Sequence, residues 1–219
     1  MTTIRPGTCA ARIATSGCAG LKARRWKKLL WTMCSATALI FVAKAAPVPG
    51  QVNVAVTDNQ TQGRGRHGRT WQSPPGSGLC LSLAYTFEQQ PANLSALTLA
   101  LGLGVIDALE SLGVTGVQLK WPNDLVAADG KLGGILTETQ ARRSGEIGVV
   151  TGVGLNVDLG GDLDVGGESD WANRVSDLAG FVGDGPRREE LAGRLCDGLC
   201  GAFLQDETGG FGGLFHKWA

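Results

Sequence analysis

Residues 60–76 read QTQGRGRHGRTWQSPPG, three arginines, a histidine and four glycines between a polar run and a proline turn. Gly63 to Gly68 matches G-x-G-x-x-G letter for letter. A dinucleotide loop of that pattern needs a helix directly after its last glycine, because the helix N-terminus holds the pyrophosphate. Here Pro74-Pro75-Gly76 ends any helix before it starts. A Walker loop fails as well, since no Gly-Lys-Ser/Thr follows. RG-rich nucleic-acid segments are long, repeated and unfolded, whereas this one is short and pinned between two strand patterns. What remains is a folded loop. Its glycines let backbone N–H groups approach a ligand, and Arg64, Arg66 and Arg69 offer planar forks for a carboxylate or phosphate. Trp71 adds a flat face for a purine or another ring. The plainer alternative is that these arginines pair only with surface acids.

The flanks set the fold class. VNVAVTD (52–58) alternates apolar and polar residues and reads as a strand; GLCLSLAYTF (78–87) reads as a second. Asn93 or Ser95 can cap a helix reaching about Leu112, with Leu97, Leu99, Leu101, Val105 and Leu109 as its apolar positions. VQLKW is a short strand ending at the turn 122–124, and LGGILTET and IGVVTGVGLNVDL are two more. The last of these is nearly all apolar, which places it centrally in a sheet. A Gly/Asp loop over 159–169 and a helix over about Arg187 to Phe203 complete the chain. Strand runs with two helical stretches predict an α+β fold, a mixed β-sheet packed by helices.

KWPNDLVAADGKLGGILTE (120–138) holds a second cluster, Lys120, Asn123, Asp124 and Lys131, with Gly133 and Gly134 open to close approach. A lysine at 131 suits a carboxylate turning into a phosphoanhydride. Asp124 either fixes the turn and holds Lys120 or positions a metal–nucleotide complex, and the turn role is the better reading. Asn156, polar among apolar neighbours, can donate to a phosphate or simply close the strand.

Charge balances at 20 basic and 20 acidic side chains, so no global field announces a polyanion. Residues 1–50, however, carry eight basic groups and no acid. The stretch 22–45, with a basic lead, an apolar run from Leu29 to Ala43 and a small-residue site at Ala43-Lys44-Ala45, has the form of a signal peptide. It is too short and interrupted to span a bilayer. An amphipathic helix closed by the turn at 47–50 is the alternative. Three of the six cysteines lie in this front portion, and Cys196 and Cys200 have no nearby histidine, so no metal site is expected and the cysteines read as reduced thiols of a cytoplasmic protein.

The segments QTQGRGRHGRTWQSPPGSGLCLSLAYTF, LKWPNDLVAADGKLGGILTE and VVTGVGLNVDL, in that order and spacing, resemble the catalytic domain of biotin protein ligases. The resemblance implies the class II synthetase-like biotin/lipoate ligase fold over 29–219, with 1–28 left as an unpatterned basic segment. It implies a two-step reaction. Biotin and Mg-ATP give biotinyl-5′-AMP and pyrophosphate, and a lysine of a biotin carboxyl carrier protein, a subunit or domain of acetyl-CoA or pyruvate carboxylase, then displaces AMP. By position, Ser35, Thr37, Gln60, Gly63, Arg64, Gly65, Arg66, Lys131 and Gly134 look like biotin contacts. Arg66, Arg69, Trp71 and Asn156 look like adenylate contacts, with Arg66 and Lys131 as the catalytic pair. The family opens its biotin site with Ser-Thr-Asn, where this chain has Cys34-Ser35-Ala36-Thr37. The same match makes 35–46 the first core helix, which speaks against export. The chain stops where the family's small C-terminal β-barrel would begin, and it carries no winged helix at the front, so DNA binding is not expected; dimerisation stays open. A lipoate–protein ligase-like enzyme, or a biotin binder without transfer activity, is the alternative function.

Overall fold

The computed structural model describes residues 26–31, 47–49, 52–88, 94–127, 130–141, 145–160, 174–183 and 185–209. Ser35, Thr37, the helix expected over 35–46 and most of the Gly/Asp loop lie outside these residues.

Among the described residues nine strands form two sheets, accompanied by three α-helices: β1 (Trp26–Trp31), β2 (Val52–Thr57), β3 (Gln60–Arg64), β4 (Thr70–Ser73), β5 (Gly78–Phe87), α1 (Leu94–Glu110), β6 (Gln118–Lys120), β7 (Asp124–Ala127), β8 (Gly130–Ala141), β9 (Ile147–Asn156), α2 (Leu178–Val182) and α3 (Arg188–Gly209). The main sheet has seven strands in the order β1-β2-β5-β9-β8-β7-β6. β1 pairs with β2 in parallel and every other neighbour is antiparallel, so the sheet is mixed, as the sequence predicts. β9 is its middle strand, which accounts for its apolar run. β1 spans residue 28, where the sequence divides the basic segment from the domain.

Period two governs the central strands. On β5, Leu79, Leu81, Leu83, Tyr85 and Phe87 all enter the main core with α1 and α3. Their alternates Cys80, Ser82 and Ala84 face the other way, as strand geometry requires. Register extends that second face across the sheet: Ser82 stands opposite Gly152, which stands opposite Leu136, and Cys80 opposite Gly154, which stands opposite Gly134. Small residues thus hollow out one face while large ones fill the other. Each fully buried leucine on the filled face contributes about 1.5–3 kcal/mol.

Two helices cover the filled face. α1 buries Leu97, Leu101, Val105 and Leu109, four of the five positions the sequence marks, one turn apart along one stripe. It begins at Leu94, so Ser95 lies inside the helix and does not cap it. α3 runs longer than its sequence estimate and buries Leu191, Leu195, Leu199 and Phe203. The helices meet at Gly104 and Gly198, where a Cβ on either residue would collide with the other's carbonyl oxygen. Cys80, Cys196 and Cys200 are buried and form no disulfide. Among the described residues no helix is long and apolar enough to cross a membrane.

Candidate active site

The arginine loop is a two-stranded ribbon, β3 against β4, outside the main sheet. Gly63 pairs with Trp71 there, and a Cβ at Gly63 would strike the Trp71 carbonyl oxygen. The tip turns through His67 (φ 54°) and Gly68 (φ 73°), not through Gly65, which is extended. Trp71 lies on the hollow face of β9, where a Cβ at Gly154 would come within 2.6 Å of Trp71 Cε2. Only glycine at 154 lets the ring rest on the strand.

Two ribbon arginines are tied across the hollow. Arg64 Nη2 donates to Glu138 Oε1 at 2.9 Å on β8, an exposed ion pair of the kind the plainer reading expects. Among the described residues Arg66 has no acid partner. Its Nη1 donates to Asn123 Oδ1 at 3.2 Å, and Asn123 is itself fixed: its Nδ2 donates to Ile135 O at 3.0 Å and its carbonyl accepts from Ile135 N at 2.8 Å. A neutral amide leaves the guanidinium its full charge toward the cleft.

Lys131, on β8, is ion-paired to Asp124 Oδ1 at 2.7 Å and stands 5.8 Å from the centre of the Trp71 ring, within cation–π range. The sequence reading has Asp124 holding Lys120; Lys120 is its register neighbour in the β6–β7 ladder, while the resolved ion pair goes to Lys131. The backbone of Lys131 is held on both sides, its N–H donating to Arg174 O and its carbonyl accepting from Ser176 N. Asn156 adds to this clamp, its Nδ2 donating to Lys131 O at 3.2 Å and Ser176 O at 3.0 Å. Those protons are therefore spent on carbonyls, not offered to a phosphate as the sequence allows.

Ribbon, turn and sheet enclose a cleft of about 360 Å³. Gln60, Arg64, Gly65, Arg66, Arg69, Trp71, Lys131 and Gly134 line it, whereas Gly63 and Asn156 support its walls from behind. Among the described residues five cations line the cleft, Arg64, Arg66, Arg69, Lys120 and Lys131, against one lining carboxylate, Asp124, with Glu138 beside it pairing Arg64. That imbalance calls for an anion. The floor is the hollow face of the sheet, Ser82, Gly134, Leu136, Gly152 and Gly154, while Leu81, Ile135 and Val153 border it with side chains turned into the main core. Sequence reading missed Ser82, Leu136, Gly152 and Gly154; the two glycines were visible in TGVG, within an otherwise bulky central strand. Trp121 stands at the mouth, 68% exposed. Beneath the ribbon, burial pushes the Cys80 thiol above its ordinary range, against weaker pulls from Ser73, Gln60 and Trp71.

Known proteins share this arrangement. The family model described as the Biotin/lipoate A/B protein ligase family matches residues 47–156, half of the chain. The bifunctional ligase/repressor BirA of Salmonella typhimurium is 41% identical over 105 residues, covering 48% of this chain and 33% of that protein. A biotin--[acetyl-CoA-carboxylase] ligase of Paracoccus denitrificans is 31% identical over 163 residues, covering 73% of this chain and 66% of that protein. The chain spans about a third of the length of the BirA relatives it matches. Among solved structures, a biotin protein ligase from Aquifex aeolicus in complex with biotin and ATP superposes with a TM-score of 0.67 at 27% identity, over 85% of this chain and 74% of that one. With the match running from the start of the resolved core through β9, the chain belongs to the biotin/lipoate A/B protein ligase family.

Proposed function

We propose that this chain is a biotin–protein ligase, which joins biotin to AMP and passes the biotinyl group to a lysine of a biotin carboxyl carrier protein. The observation that carries the reading is the cleft itself, five lining cations to one lining carboxylate over a floor of small residues and Leu136. The substrate is amphipathic in the same sense, an apolar ring and chain ending in a carboxylate, and it must meet a second anion, the α-phosphate of ATP.

In the first step a carboxylate oxygen of biotin bonds to the α-phosphorus while the bond to the bridging oxygen of the β-phosphate breaks, and pyrophosphate leaves. In the second, the free amine of the carrier lysine bonds to the acyl carbon, AMP departs with the electron pair, and the amine's proton goes to solvent. No enzyme nucleophile is required. The protein's part is to hold two anions in line and to stabilise the charge that grows between them. Lys131 meets that charge as a point donor, exchanging part of its contact with Asp124 for the substrate. Arg66 meets it from the ribbon side, with Arg69 on the adenylate side. Gln60, at the start of the ribbon, suits the polar ring of biotin. Trp71 presents a face to the adenine side, and Asn156 supports that side by fixing the backbone of Lys131. Ser35 and Thr37, outside the described residues, are the further biotin contacts that the family resemblance implies.

Magnesium fits as a passenger of the nucleotide. Among the described residues no three His, Cys, Asp or Glu side chains gather, and Asp124 is engaged by Lys131, so the phosphates would supply most of the ion's ligands. When bound, it neutralises phosphate charge. We place the chain in the cytoplasm, where its reduced thiols and its carrier substrate would both persist.

Mixing the chain with ATP, magnesium, a carrier domain and either biotin or lipoate tests the reading. Biotin on the carrier lysine supports it; lipoate transfer with no biotin transfer overturns it.

A further inference from the structure

We infer that Asn123 is a positioning residue, whose work is to aim Arg66 at the anion site; the inference rests on the ligase reading above. Arg66 sits near the tip of a ribbon that shares no strand pairing with the main sheet, and the ribbon's own hydrogen bonds do not fix a long side chain. The guanidinium finds its hold across the cleft, at Asn123 Oδ1. Asn123 can serve as that hold because it is immobilised twice by one residue: its side-chain N–H and its main-chain carbonyl both engage the backbone of Ile135 on β8. With its amide nitrogen committed to a carbonyl, the oxygen must face the other way, toward Arg66.

The choice of an amide has a consequence for charge. A carboxylate at 123 would hold Arg66 more tightly but would neutralise it where an anion must bind. The neutral amide orients the fork and leaves the charge available. The next residue does the opposite for the second cation: Asp124 holds Lys131 with a full charge. Two adjacent residues, the last of the turn and the first of β7, thus set the two cations, one from the ribbon and one from the sheet. An unanchored Arg66 would sample several rotamers, and ligand binding would then have to order it at the expense of affinity.

The test is a double-mutant cycle read by calorimetric binding of a hydrolysis-inert biotinyl-adenylate analogue to the full chain. Asn123→Ala weakens binding roughly tenfold, within the range of couplings between contacting residues. Arg66→Ala weakens it at least as much, and the double variant binds within about twofold of Arg66→Ala alone, because Asn123 acts through that arginine. Asn123→Ser enters the same cycle in case the alanine variant does not fold, with the same expectation. A merely structural Asn123 would give losses that multiply in the double variant, and that result overturns the inference while leaving the ligase reading in place. A wild-type chain that does not bind the analogue overturns both together.

Discussion

The Nζ of Lys131 rests 2.7 Å from Oδ1 of Asp124, and both side chains remain about a third exposed to solvent. An ion pair so wetted adds little to stability. It is better understood as a preset for the lysine, held ready in the cleft until substrate charge competes for it. Lys131→Ala is therefore expected to slow adenylate formation by about 10²-fold or more, the scale seen when a preorganised donor to a developing anion is lost. Asp124→Asn should slow it less than Lys131→Ala and leave the unfolding temperature nearly unchanged. Pyrophosphate release and a thermal melt check both; an Asp124→Asn chain as slow as Lys131→Ala would show that Asp124 does more than hold the lysine.

Arg66 faces the cleft without an acid partner among the described residues, so its loss should be felt most once the adenylate has formed. Arg66→Ala is expected to shorten the time the intermediate stays bound, by roughly tenfold for one charge-assisted contact. Rapid filtration of labelled adenylate after a single turnover measures this, and an unchanged lifetime would remove Arg66 from the site.

Gly154 carries the Trp71 ring on its backbone, and a Cβ there would lie 2.6 Å from Trp71 Cε2. Gly154→Ala should lift the ring and raise the KM for ATP several-fold, in keeping with about 1 kcal/mol for a displaced aromatic contact. The KM for biotin should move less. Steady-state kinetics with each substrate varied in turn separates the two, and equal effects on both would place Trp71 elsewhere than the nucleotide side.

Cys80 gives a dependence on pH. Its buried thiol holds its proton above the range where the same thiol in the unfolded chain releases it. The stability this lends is complete below the ordinary thiol range and is lost as pH rises through the raised folded value. Thermal stability should thus fall as pH rises through and above the ordinary thiol range, and Cys80→Ala should flatten that decline. A wild-type slope matched by the variant would show that Cys80 stays neutral in both states.

How far the sequence reaches is clear from particular elements. β5 was legible residue for residue because ten consecutive apolar or small residues, bounded by turn signals, admit little else. β9 was legible as the central strand for the same reason. The ribbon was not: β3 and β4 are mostly exposed and polar, so they carry no alternation, and only their place between two strands marked them as folded. Within the site, residue types could be read and partnerships could not. Arg66 and Asn123 are 57 residues apart, and nothing local in either segment names the other. Asp124 was assigned Lys120, close in sequence, because a lysine seven residues on becomes its ion-pair partner only when β7 and β8 fold back on each other. Asn156 looked like a phosphate donor because its two carbonyl partners come from β8 and from the segment before α2.

The most direct test of the central claim is pyrophosphate release by the purified chain with magnesium and ATP, with and without biotin, and with lipoate in parallel. The account predicts release that depends on biotin and is not matched by lipoate. Release that is indifferent to biotin, or none from a folded chain, would contradict it.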